Sequence, residues 1–141
     1  MRRDHELIHP TLLCRTYLIK ITIKKTKGET MKYYHNPRCT KSRLGIDLLK
    51  NHQVTPSIIE YLTTHLSEQE LRFIITHLDD PIERLFRQKE CKEAGIQPEG
   101  MSIEDQVKAI QTHPQILERP LLVTKTKAKI GRPPEDLLDI L

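Results

Sequence analysis

The chain has 141 residues, 37% hydrophobic and 30% charged, which suits one domain with a modest core and argues against wholesale disorder. The net charge of +4 comes entirely from residues 1–30, so residues 31–141 are neutral and carry no basic footprint for nucleic acid. No apolar run approaches the ~18 residues of a membrane span. Neither nucleic acid nor a membrane is therefore expected as a partner.

Residues 1–30 are predicted to be a non-native or disordered extension, with Met31 as the natural start. The codons for residues 27–29 can spell a purine-rich ribosome-binding sequence, so the segment is interpreted as a translated leader. Arg15 and Lys20 interrupt any signal-peptide stretch, and no cleavage site follows. The alternative interpretation is an edge strand, indicated by the alternating residues Ile19, Ile21 and Ile23.

Residues 31–141 are predicted to form one domain that begins with a strand, a helix and a second strand. The β-prone run 32–35 ends in a turn at Asn36-Pro37. A helix is predicted after Cys39 and up to residue 51. Its buried face is expected to carry Leu44, Leu48 and Leu49. A second strand is predicted within residues 55–62.

Three further helices are predicted in the middle of the chain. Ser67 and Glu70 form a capping box that opens the first of them. Pro81 suits the first turn of the second. Ser102 is predicted to cap the third, which ends at residues 113–114.

A hairpin and a closing helix complete the chain. Residues 121–123 and 128–130 are predicted to pair as a β-hairpin, and a last helix is predicted to start at residues 133–135. A strand–helix–strand unit followed by a hairpin and a helix predicts an α/β, thioredoxin-like fold with a mixed sheet and a helical insertion.

The candidate chemistry centres on Cys39. A helix N-terminus offers N–H donors and a positive dipole end that stabilise a thiolate, and the polar neighbours of Cys39 disfavour a buried structural cysteine. Ser42 stands where a C-x-x-C motif would place its second cysteine, so a second thiol must come from elsewhere. Cys91 is a weak candidate, because it lies in a charged stretch predicted to be a solvated helix. The cysteine and histidine spacings predict no metal site.

Four sequence blocks resemble the glutaredoxin-linked arsenate reductase family. Residues 35–43 are similar to its signature H-N-P-x-C-x-x-S-R, and residues 84–89, 118–123 and 130–135 resemble three further blocks in the same order. The resemblance covers residues 31–141 and begins close to Met31. It implies the thioredoxin-like fold with a helical insertion that the element order also predicts.

The resemblance also implies a function, the reduction of arsenate to arsenite with glutathione as co-substrate, glutaredoxin as partner and no bound cofactor. Cys39 matches the nucleophile that attacks arsenic. The oxyanion-binding positions of the family fall on Arg87, Arg119 and Arg132. Positions that tune the thiol pKa or support the site fall on His35, Ser42 and on Pro120, which matches a cis-proline facing the cysteine. A cytoplasmic, monomeric enzyme is expected.

The physical chemistry agrees with that assignment. Arsenate is a tetrahedral oxyanion, and the planar fork of arginine donates paired hydrogen bonds to such oxygens. The same guanidinium charges would stabilise a thiolate. Alternatives stay open for two residues, since Arg87 could be structural and His35 could simply bond backbone groups near the turn.

Two other functions fit the same fold. Spx-type transcription regulators resemble these reductases and bind RNA polymerase, but they typically carry the C-x-x-C redox switch that Ser42 interrupts. A glutathione-dependent thiol reductase with another substrate is the second alternative, because a fold does not define a substrate.

Overall fold

The computed structural model describes residues 31–141, so the predictions for residues 1–30 lie outside the described residues. The four strands are β1 (Lys32–Tyr34), β2 (Ser57–Ile59), β3 (Leu121–Val123) and β4 (Ala128–Ile130). The four α-helices are α1 (Thr40–Asn51), α2 (Glu68–His77), α3 (Gln88–Ala94) and α4 (Ile103–Thr112). Three 3₁₀ helices span Ile82–Leu85, Pro114–Ile116 and Pro134–Ile140.

The strands form one mixed sheet in the order β2-β1-β3-β4. β1 pairs with β2 in parallel, whereas β1–β3 and β3–β4 are antiparallel. Tyr34 pairs with Leu121, which in turn pairs with Ile130. The end of β1, the start of β3 and the end of β4 therefore meet at one edge of the sheet. The predicted thioredoxin-like fold with a mixed sheet and a helical insertion is confirmed.

Alternating side chains of the sheet pack into two hydrophobic clusters, because successive residues of a strand point to opposite faces. Tyr34 and Leu121 join a larger cluster with helices α2 and α4. Tyr33 and Leu122 face a smaller cluster that contains Leu49 of α1. Helix α1 is thus anchored against the face of the sheet opposite the inserted helices.

The predicted caps are confirmed. The Ser67 side chain accepts a hydrogen bond from the Glu70 backbone, and the Glu70 side chain accepts one from the Ser67 backbone. The Ser102 hydroxyl accepts from the backbone of Asp105 at the start of α4. Within residues 31–141, no helix combines the length and the apolar character needed to cross a membrane.

The predicted buried face of α1 is partly wrong. Leu44 is 48% exposed, and the buried residues of the helix are Ser42, Gly45 and Leu49. Any Cβ at Gly45 would overlap the Tyr33 hydroxyl. The helix therefore packs through Ser42 and Gly45 as well as Leu49, and hydrophobic periodicity does not detect the two small residues.

Two other elements differ from the prediction. The second strand covers only Ser57–Ile59, because the chain turns at residues 61–63. The segment after Pro81 and the closing segment are 3₁₀ helices rather than α-helices. Each begins directly after a proline, Pro81 and Pro133 respectively.

Candidate active site

The loop after β1 places Cys39 at the N-cap of α1. The Cys39 N–H donates to the Asn36 carbonyl at 3.0 Å, and the Arg38 N–H donates to Asn36 Oδ1 at 3.0 Å. These bonds close a tight turn, so the cysteine enters the helix with its thiol at the positive end of the helix dipole. The partly exposed sulfur is accessible to small molecules.

The buried side chain of Ser42 stabilises this loop through hydrogen bonds. Its hydroxyl is fully buried, accepts from the Asn36 N–H at 3.1 Å and lies 2.7 Å from His35 Nδ1. Its carbonyl accepts from the Tyr33 hydroxyl at 2.6 Å. Ser42 thus joins both sides of the turn that carries Cys39, which is a structural reason for serine at this position.

His35 is an uncharged support of the same loop. The side chain is only 7% exposed, and burial is the main cause that lowers the pKa of His35 below its ordinary value, with the charge of Arg43 acting in the same direction against Glu60. A neutral imidazole gives the thiolate no positive charge. Its Nδ1 lies 2.7 Å from the Ser42 hydroxyl, which is a side-chain partner and not one of the backbone groups that the alternative named.

The pairing of β1, β3 and β4 brings Arg119 and Arg132 close to the Cys39 thiol. Arg119 precedes β3 and Arg132 follows β4, and both strand ends lie at the edge where β1 ends. Arg132 Nη2 lies 3.6 Å from Cys39 Sγ. The Arg119–Pro120 peptide bond is cis, as the family resemblance implies.

Positive charge and N–H donors lower the pKa of the Cys39 thiol. Burial is the largest influence and acts to raise this pKa. It is outweighed by hydrogen bonds from the Ser42 backbone and the Arg119 side chain, then by the charge of Arg132. The site therefore favours a thiolate, the nucleophilic form of cysteine.

Arg87 is placed differently from the other two arginines. It is the N-cap of α3, and its two terminal nitrogens bond to Glu90 and Glu118, each at 2.9 Å. Glu118 also forms an ion pair with Arg132 Nε at 3.0 Å. The Glu118 carboxylate thus connects Arg87 with Arg132. Arg87 Nε is buried without a hydrogen-bond partner among residues 31–141.

A sequence profile of the ArsC family matches residues 34–140. The chain belongs to the ArsC family. This confirms the family resemblance that the sequence motifs indicated.

Several relatives share most of their length with this chain. An uncharacterized protein of Escherichia coli K12 is 40% identical over 114 residues, covering 79% of this chain and 96% of the relative. An arsenate reductase of Haemophilus influenzae is 40% identical over 111 residues, covering 77% and 96%. A solved arsenate reductase from Vibrio cholerae is 36% identical, with a TM-score of 0.72 over 81% of this chain and 99% of that one.

The structure corrects the prediction for Cys91. Its side chain is 2% exposed and lies in the larger hydrophobic cluster, not on a solvated helix face. Burial and the nearby charges of Glu99 and Glu90 raise the pKa of Cys91. Lys92 and Glu93 are exposed, whereas Cys91 itself occupies the buried side of α3.

The sequence analysis missed two residues of the site. Glu118 falls within the family block 118–123 and Tyr33 within the predicted strand 32–35, and neither residue was predicted to lie at the site. An acidic residue directly before an arginine–proline pair is a usable signal for Glu118. For Tyr33 the signal is the glycine at position 45, which leaves space for its hydroxyl.

Proposed function

We propose that this ArsC-family protein reduces arsenate to arsenite, with the Cys39 thiolate as nucleophile and with glutathione and glutaredoxin as electron donors. The observation that carries the proposal is the position of the Cys39 sulfur, at a helix N-terminus and 3.6 Å from an Arg132 nitrogen. The names of the Haemophilus influenzae and Vibrio cholerae relatives support it.

Arsenate binding is assigned to Arg119 and Arg132. Near neutral pH arsenate carries one to two negative charges, and both guanidiniums stand beside the nucleophile that must reach the arsenic atom. Arg119 Nε is buried and has no hydrogen-bond partner within residues 31–141. Arg87 is assigned a more remote part, because two carboxylates already engage it.

The first two steps exchange arsenic–oxygen bonds for arsenic–sulfur bonds without oxidation or reduction. The Cys39 thiolate attacks arsenic(V), and one oxygen leaves as water after protonation. The thiolate of glutathione then attacks the same arsenic atom, and a second water leaves. The result is arsenic(V) bound to both Cys39 and glutathione.

Reduction follows when a glutaredoxin thiolate attacks the glutathione sulfur. The sulfur–sulfur bond of a glutaredoxin–glutathione disulfide forms, and the electron pair of the broken sulfur–arsenic bond reduces arsenic(V) to arsenic(III). Water then displaces arsenic(III) from Cys39 as arsenite and regenerates the thiol. Two electrons from two thiols thus balance the two gained by arsenic.

The external thiol is proposed because the described part of the chain offers no second one at the site. Ser42 occupies the C-x-x-C position, and Cys91 is buried in the hydrophobic core. The same observations disfavour a regulator that switches by a local disulfide. A glutathione-dependent reaction also fits the expected cytoplasmic location.

The test is arsenate-dependent NADPH oxidation coupled through glutathione reductase, glutathione and glutaredoxin. Wild-type protein should turn over, Cys39→Ser should not, and Cys91→Ala serves as the matched cysteine control that retains turnover. Absence of turnover by a folded wild-type protein whose Cys39 still alkylates readily would reject arsenate as substrate. That result would favour another thiol substrate or a regulatory role.

A further inference from the structure

One carboxylate oxygen of Glu118 contacts three arginines, which are Arg87, Arg119 and Arg132. Glu118 Oε1 accepts hydrogen bonds from Arg87 Nη1 at 2.9 Å and from the Arg119 backbone N–H at 3.0 Å. The same oxygen forms an ion pair with Arg132 Nε at 3.0 Å. The Glu118 side chain is only 17% exposed, so solvent screens these interactions weakly.

Two oxygens contact Arg132 Nε, one from the Glu118 carboxylate and one from the Arg119 carbonyl. The carbonyl accepts at 2.8 Å. Because a guanidinium is planar and rigid, fixing Nε also fixes the direction of the terminal nitrogens. One of these, Nη2, is the nitrogen that approaches the Cys39 sulfur.

We propose that Glu118 is a positioning residue of the active site, whose carboxylate holds the Arg132 guanidinium against the Cys39 sulfur. It also ties Arg87 to that guanidinium, so Arg87 acts on the nucleophile through Glu118. The inference rests on the proposed role of Cys39 as nucleophile. It does not depend on which substrate that nucleophile attacks.

Loss of the Glu118 charge and displacement of Arg132 should change the reactivity of Cys39 in opposite directions. A carboxylate near a thiolate disfavours the thiolate, so removing its charge alone should make Cys39 more reactive at acidic pH. Releasing Arg132 should make Cys39 less reactive, because the positive charge withdraws from the sulfur. A positioning role therefore predicts the opposite sign from a simple charge effect.

Two substitutions separate position from charge. Glu118→Gln keeps the length and the acceptor oxygen but removes the charge. Glu118→Asp keeps the charge but withdraws the acceptor by one methylene. For both variants, the rate of iodoacetamide alkylation of Cys39 is measured as a function of pH. Arsenate is absent, so that failure of the proposed function does not affect this rate.

The positioning role predicts that Glu118→Asp slows alkylation at pH 6 by up to about tenfold, since loss of a close opposite charge raises the pKa of the thiol and lowers the thiolate population. Glu118→Gln should alkylate at the wild-type rate or faster. An unchanged rate in Glu118→Asp, or equal slowing in both variants, would overturn the proposal. Far-ultraviolet circular dichroism confirms that both variants are folded.

Glu90→Ala is the matched control, because it removes the other carboxylate of Arg87 and has no ion pair with Arg132 among the described residues. It should not slow alkylation; slowing equal to that of Glu118→Asp would contradict the proposal. In an Arg132→Ala background, Glu118→Asp should have no further effect on the rate. A full additive effect there would show that Glu118 does not act through Arg132.

Discussion

Replacing Ser42 with alanine removes a hydroxyl that is fully buried and engaged on two sides. The Asn36 N–H at 3.1 Å and His35 Nδ1 at 2.7 Å would both lose their partner inside the loop. A buried polar group left unpaired costs roughly 1–3 kcal/mol, so we expect about 2–4 kcal/mol less stability. This is a large share of the roughly 5–15 kcal/mol that holds a typical domain together.

The chemistry of the thiol should survive this loss. The hydrogen bond that Ser42 gives to the Cys39 thiolate comes from its backbone N–H, which alanine retains. Alkylation of Cys39 in the folded variant should therefore stay close to wild type. The expected combination is a weaker fold with an intact nucleophile.

Urea unfolding followed by circular dichroism gives the stability change, and iodoacetamide alkylation in the absence of urea gives the reactivity. Ser57→Ala is the matched control, because Ser57 is exposed on β2. It should change the unfolding free energy by less than about 0.5 kcal/mol. If Ser42→Ala were equally mild, the assigned role of Ser42 in fastening the loop would be refuted.

Three further predictions concern the hairpin and the thiol. In Gly131→Ala the new Cβ would lie 2.8 Å from Pro120 Cγ and 2.9 Å from Leu137 Cγ, so we expect a loss of about 1–3 kcal/mol in urea unfolding; unchanged stability would contradict this packing. Arg132→Lys replaces a bidentate fork by a point charge, and kcat/KM for arsenate should fall about tenfold or more; wild-type kinetics would reject the oxyanion assignment. Because the pKa of Cys39 is lowered in the folded protein, the stability of the wild type relative to Cys39→Ser should rise with pH up to the unfolded thiol pKa of about 8.5 and be lost as pH falls through the folded pKa. A wild-type urea midpoint that does not rise with pH relative to that of Cys39→Ser would contradict a stabilised thiolate.

Local sequence signals predicted most of the secondary structure. The capping box at Ser67 and Glu70, the cap at Ser102 and the hairpin all depend on contacts within a few residues, which a single sequence records directly. The face of α1 depends on a distant contact between Gly45 and the Tyr33 hydroxyl. Hydrophobic periodicity carries no information about such a contact.

One part of the candidate site likewise follows from local sequence, and the other part depends on contacts between residues that are distant in the chain. The position of Cys39 at a helix N-terminus follows from the local turn and was predicted. The approach of Arg132 depends on the pairing of β1, β3 and β4, and was expected only from the family resemblance. The carboxylate of Glu118, which connects the arginines, is visible only after the chain has folded.

Arsenic speciation in a reaction with wild-type protein, arsenate, glutathione and glutaredoxin tests the central claim most directly. The account predicts that arsenite forms in step with arsenate loss, that it requires both thiol partners, and that Cys39→Ser forms none. Arsenite production by Cys39→Ser at the wild-type rate, or none by the wild type, would contradict reduction of arsenate through the Cys39 thiolate.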